Sequence, residues 1–102
     1  MQKIPLEAIP NQNFNIVLDG QSCIVHLYQR GEYMYLDISS NGVWVRQGVI
    51  CLTNINLLNY PLLDFSGMLF FGDLSGKNGT PNYEELGSRY VLFYATEAEL
   101  NV

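Results

Sequence analysis

The residues of this 102-residue chain that could carry out chemistry are few, and their spacing keeps them apart. The single histidine, His26, sits between Val25 and Leu27 in an alternating apolar run. General-base or nucleophilic chemistry needs a partner held within hydrogen-bond reach. Cys23 is three positions away, which on a strand places it on the opposite face. His26 is therefore read as structural or interfacial. Cys23 and Cys51 both lie in apolar runs and are read as buried thiols; two cysteines are too few for a disulfide scaffold, and a single bridge stays open. With one histidine, a Cys/His zinc site would need distant oxygen ligands, so no metal is expected. Glu84 and Glu85 are adjacent, and neighbouring loop side chains diverge where paired-carboxylate chemistry needs two groups facing across a cleft. They are read as an acidic rim. The segment from Gly72 to Pro81 lacks the glycine spacing and the Lys-Ser/Thr pair of a phosphate loop, and no helix pattern follows it. Asn78-Gly79-Thr80 is a formal glycosylation sequon, closed by Pro81 and read as an accident of an Asn-rich chain. No cofactor is expected, and the chain is read as a non-enzyme.

The elements that position these residues read as short strands. Residues 3–9 alternate weakly around Pro5, which cannot donate to a central ladder, so residues 1–11 are expected to be an extended arm or edge strand. From Gln12, Phe14, Ile16 and Leu18 point one way and Asn13, Asn15 and Val17 the other. Asp19-Gly20 is a two-residue hairpin signal. The next strand, Gln21 to about Arg30, sets Cys23, Val25 and Leu27 against Ile24, His26 and Tyr28. After a turn at Arg30-Gly31-Glu32, residues 33–39 place Met34, Leu36 and Ile38 on one face. Asn41-Gly42 predicts a tight turn. With an unbroken register after it, Ile38 faces Val45, Met34 faces Val49 and Asp37 faces Arg46, a charge pair that would set the strand pairing more than it stabilises. Residues 52–64 form a connection too apolar for a solvated loop, carrying Ile55, Leu57, Leu58, Leu62 and Leu63, with Pro61 against a helix. It is expected to fold onto the sheet or onto a partner. Phe65–Phe71 and Arg89–Ala95 read as strands around a polar loop from Asp73 to Gly87, and Thr96 with Glu99 fits a capping box over one helical turn. Six to seven short strands at hairpin spacing predict an all-β chain: a small antiparallel barrel or sandwich, residues 1–102 forming one domain.

Composition narrows the function class. Ten acids against five bases give a net charge of -5. The bases stand singly along the chain, so no stripe exists to displace counterions from phosphates, and direct nucleic-acid binding is not expected. No stretch approaches the roughly 18 apolar residues of a membrane span. Residues 1–5 lack the apolar run of a secretory leader. Seven Tyr, five Phe and one Trp stand out against only three Ala. Tyrosine suits surfaces dry on one side and polar on the other. Tyr33, Tyr35 and Trp44, on the face opposite Met34, Leu36 and Ile38, are the strongest candidate interaction surface, with Leu57, Leu58, Leu62 and Leu63 as further candidates for burial against a partner.

Three runs carry a resemblance: Leu18-Asp19-Gly20-Gln21, Tyr33-Met34-Tyr35-Leu36-Asp37-Ile38, and Gly42-Val43-Trp44-Val45-Arg46-Gln47-Gly48-Val49. They resemble a family of small phage and prophage tail proteins similar to the plug protein of a cyanophage baseplate. The resemblance extends through Asn56-Leu57-Leu58 and Gly67-Met68-Leu69-Phe70-Phe71 to Leu86-Gly87-Ser88-Arg89-Tyr90. It implies a structural component of a tail baseplate, made in the host cytoplasm and lodged in the virion. Such a component plugs the central channel or connects hub and tube, with hub, spike or tube subunits as partners. The alternative is a free-standing β module for a carbohydrate or peptide, which predicts a concave patch lined by Trp44 and tyrosines. An enzyme would instead need an activated Cys23 or His26.

Overall fold

The computed structural model describes residues 1–58 and 65–100. Seven strands form in chain order: β1 Gln2–Ile4, β2 Asn11–Leu18, β3 Gln21–Arg30, β4 Tyr33–Ser40, β5 Val43–Ile50, β6 Met68–Asp73 and β7 Tyr90–Ala95. They build two antiparallel sheets, one of four strands in the order β2-β3-β4-β5 and one of three in the order β1-β7-β6. The sheets face each other as a sandwich and do not close into a barrel.

Alternation decides which side chains lie between the sheets. Cys23, Val25 and Leu27 of β3 and Met34, Leu36 and Ile38 of β4 are fully buried, and they join Leu69, Phe71, Leu92 and Tyr94 of the smaller sheet in one core cluster. The two-residue turns at Asp19-Gly20 and Asn41-Gly42 form where the sequence places them, and β2–β3 pairs without interruption from Asn11↔Tyr28 to Leu18↔Gln21.

The β4–β5 ladder departs from the unbroken register. Ser40↔Val43 and Ser39↔Trp44 follow the turn as expected, but Ile38 then pairs with Arg46 and Leu36 with Val49. Val45 is extra at the first shift, and Gln47 with Gly48 stands against Asp37 at the second. Gly48 adopts φ +66°, a left-handed conformation in which a side chain would be strained, and this is what admits the bulge. The expected strand Phe65–Phe71 starts only at Met68, because Gly67 at φ +104° turns the chain just before it. Phe65 is buried and makes an isolated bridge.

Polar side chains tie the two sheets together. The Gln21 amide donates to Leu18 O (2.9 Å) and Ser66 O (3.0 Å), and its oxygen accepts from Ser66 N (2.8 Å). The Tyr94 hydroxyl also donates to Ser66 O. Within the smaller sheet, Arg89 grips the Asp73 carboxylate through Nε and Nη2, both at 3.0 Å, and Asp73 also accepts from Ser75 N and Gly79 N. A 3₁₀ turn at Tyr83–Glu85 interrupts the polar loop, and the chain ends its described part in α1, Glu97–Leu100. The capping box closes α1: Glu99 N donates to Thr96 Oγ1 (3.2 Å), and Thr96 N to Glu99 Oε1 (2.9 Å).

Two outcomes follow. A Cβ on Gly67 would lie 2.6 Å from Ala95 O, so Gly67→Ala adds a steric overlap to the roughly 1–2 kcal/mol of a left-handed residue bearing a side chain. Gly76 is also left-handed but faces open space, so Gly76→Ala costs only the backbone part. Urea unfolding should rank Gly67→Ala well below Gly76→Ala; equal midpoints would contradict this geometry. Second, the Arg89 hydrogen bonds hold the Asp73 carboxyl well below the usual carboxylate range. A depressed folded value means stability that is fully present above the unfolded value near pH 3.9 and lost as pH falls through the folded one. Asp73→Asn should therefore be less stable at neutral pH and show a shallower loss of stability below about pH 4 than the parent chain. Parallel pH profiles for the two chains would show that Asp73 carries no such linkage.

Candidate functional site

The outer face of the four-stranded sheet gathers the chemistry that alternation drives out of the core. His26 of β3 pairs across to Asp37 of β4, and Tyr28 to Tyr35. The His26 Nδ1 lies 3.3 Å from Asp37 Oδ2, and Nε2 lies 2.9 Å from Asn11 Oδ1 on β2. Its ring stacks on Tyr28 at 4.6 Å, and Tyr28 stacks on Tyr35 at 5.9 Å. The Arg30 guanidinium stands over Tyr28, 5.6 Å from the ring centre. The Tyr28 hydroxyl donates to Asp37 Oδ1 at 3.5 Å, and the Gly48 amide donates to the same oxygen at 2.6 Å. Burial against its neighbours, and then the Asp37 charge, push the Tyr28 phenol up, so it stays a donor at neutral pH.

These contacts show what Asp37 does. The bulge puts Ile38, not Asp37, opposite Arg46, so the expected Asp37–Arg46 backbone register is replaced. The carboxylate satisfies the Gly48 amide that the bulge lifts out of the ladder, and it holds His26 and Tyr28. A carboxylate, an imidazole and a phenol thus meet on this face. Cys23 lies on the inner face, and burial raises its thiol; burial pushes the Cys51 thiol up to about 12. Both cysteines are free and stay protonated near neutrality. Among the described residues, no cluster of three or more His, Cys, Asp or Glu could hold a metal ion.

Around this polar centre the face is apolar and exposed. Tyr33 is 39% exposed, and Trp44, opposite Ser39, is 53% exposed. Tyr35 is half-buried beside Tyr28. The face also presents Val17 and Ile24, which the sequence argument left out although the same period-two alternation marks both. A shallow hollow of about 320 Å³ beside Trp44 is lined among the described residues by Trp44, Val45, Arg46 and Gln47, and takes in neither Tyr33 nor Tyr35.

Leu57 and Leu58 correct an expectation. Each is only 1% exposed within the chain itself, and the Leu57 amide donates to Leu69 O (2.8 Å). Residues 53–57 bond to β6, and Leu57 and Leu58 join the core cluster, so these two side chains are buried within the chain itself. Leu62 and Leu63 lie outside the described residues. Glu84 is exposed while Glu85 turns to Arg89 (3.4 Å), so the two carboxylates diverge. The Gly72–Pro81 loop wraps its amides around its own Asp73. Among the described residues, no helix is long and apolar enough to cross a membrane.

The sequence-family model of the cyanophage baseplate Pam3 plug gp18 matches residues 1–97. No curated protein matches the chain.

Proposed function

The chain belongs to the family of the cyanophage baseplate plug, and from that premise we propose that it is a structural protein of a phage tail baseplate that plugs the central channel or connects hub and tube. What carries this reading is the extent of the match, which takes in all seven described strands and the outer face between them. The role needs surfaces and no active site, in keeping with a face whose acid, imidazole and phenol are spent on one another.

Tyr33, Tyr35 and Trp44 are the side chains assigned to contact neighbouring hub, spike or tube subunits. Large aromatic side chains, half exposed beside a satisfied polar cluster, are the kind that dominate interface energies when a partner covers them. The central cluster supports that use by holding β2, β3 and β4 as one rigid platform, so that little order must be gained on docking. The place of work is the virion, after synthesis in the host cytoplasm.

Trp44→Ala and Tyr33→Ala are expected to lower incorporation into tail particles by about tenfold or more each, the scale of an interface hot spot, while melting near the parent temperature. Leu58→Ala, in the core, should instead lower stability by about 2–5 kcal/mol. Quantitative immunoblotting of purified particles beside thermal melts reads both. Parent-level incorporation of the Trp44 variant would overturn the assignment of this face.

A further inference from the structure

Among the described residues, the sandwich closes three of its four sheet edges. β1 is three residues long and runs into Pro5. The edge of β6 is covered by residues 53–57, through a Thr53–Phe71 bridge and hydrogen bonds from Asn54 N to Phe71 O (2.9 Å) and Leu57 N to Leu69 O. β5 carries two register shifts and Arg46. Short edges, bulges and charges are the devices that keep strands from pairing with strangers.

β2 has none of them. It runs eight residues, Asn11–Leu18, without a bulge, a proline or a charge, although the chain holds fifteen charged residues in all, ten acids and five bases. The Gln29 amide donates to Pro10 O (2.8 Å), which marks a hydrogen-bonded position of the β2–β3 ladder. Alternation from there gives the β3 bonds to Gln12, Phe14, Ile16 and Leu18. It turns the amides and carbonyls of Asn11, Asn13, Asn15 and Val17 outward. Beside the first half of this edge lies a groove of about 470 Å³ whose lining includes Leu6, Ile9, Asn13 and Phe14. The Gln12 side chain holds the groove's other wall in place, accepting from Glu7 N (3.2 Å) and donating to Glu7 O (2.8 Å).

We propose that β2 pairs antiparallel with β2 of a second copy of this chain, joining the two larger sheets across a two-fold axis. The edge is self-complementary. Centred on Asn15, the pairing sets Asn15 against itself and Asn13 against Val17, so each outward amide donates to an outward carbonyl of the second copy in register. On the core side it brings Phe14 against Ile16 of the second copy, two side chains that are only half-buried in one copy. No like charges oppose each other, despite the net charge of -5, because every charged residue lies off this strand. A foreign strand could use the same backbone groups, but nothing on this edge selects its side chains, whereas its own sequence fits. This inference stands or falls separately from the baseplate reading.

Sedimentation of the intact chain from micromolar to sub-millimolar concentration tests it. The parent chain should dimerise. Asn15→Lys, which places like charges together at the axis of an exposed strand, should be monomeric with unchanged circular dichroism and melting. Asn15→Glu alone should also be monomeric, and an equal mixture of the two variants should recover the dimer. A parent chain that stays monomeric throughout, or a dimer that both single variants retain, overturns the proposal. So does a monomer whose β2 amides gain protection only when another baseplate protein is added.

Discussion

The packing of two unequal sheets against each other is the constraint from which the rest follows. Leu18, Val25, Leu27, Leu36 and Ile38 of the larger sheet meet Leu69, Phe71, Leu92 and Tyr94 of the smaller one, all at 1% exposure or less. Burying each such side chain contributes roughly 1.5–3 kcal/mol, set against the conformational entropy of ordering it. Because side chains alternate, committing these positions inward leaves His26, Tyr28, Tyr35 and Asp37 no place but the outer face. The surface proposed to meet neighbouring subunits is thus the complement of the core, cast by the same register.

A sandwich of this size also has to hold its two sheets in one alignment. Apolar contact alone is tolerant of sliding, whereas hydrogen bonds are directional. Gln21 supplies the direction at one end, bonding the β2–β3 turn to Ser66 beside Tyr94. Within the smaller sheet, Arg89 and Asp73 close the polar loop over the ends of β6 and β7. Glutamine, arginine and aspartate here do for the interior what the His26–Asp37–Tyr28 cluster does for the outer face: each satisfies the polar groups it displaces from water.

Much of this was legible in the residues, and the failures have physical causes. The β2–β3 hairpin could be read because its alternation is clean and its turn is a two-residue Asp-Gly. The turn at Asn41-Gly42 was equally plain, yet the ladder beyond it was misplaced, since a bulge shifts every later pair. Gly48 within an otherwise regular strand was the available sign, as glycine inside a strand marks a bulge. Leu57 and Leu58 were legible as buried but not as to what buries them; the same leucines suit a core or a partner. The pairing of β1 with β7 and the Arg89–Asp73 contact join residues far apart in the chain, and no local pattern announces them.

In the family of the baseplate plug, a small chain with an aromatic outer face fits the proposed role of a part covered by its neighbours. The central claim is that neighbouring subunits cover the outer face around Tyr33, Tyr35 and Trp44. Hydroxyl-radical footprinting of the free chain and of the assembled tail tests it most directly. The account predicts that Trp44 and Tyr33, readily oxidised in the free chain, become protected in the tail, while Leu74, exposed on the far loop, serves as the internal reference. Trp44 oxidised as fast in the tail as in solution would contradict it.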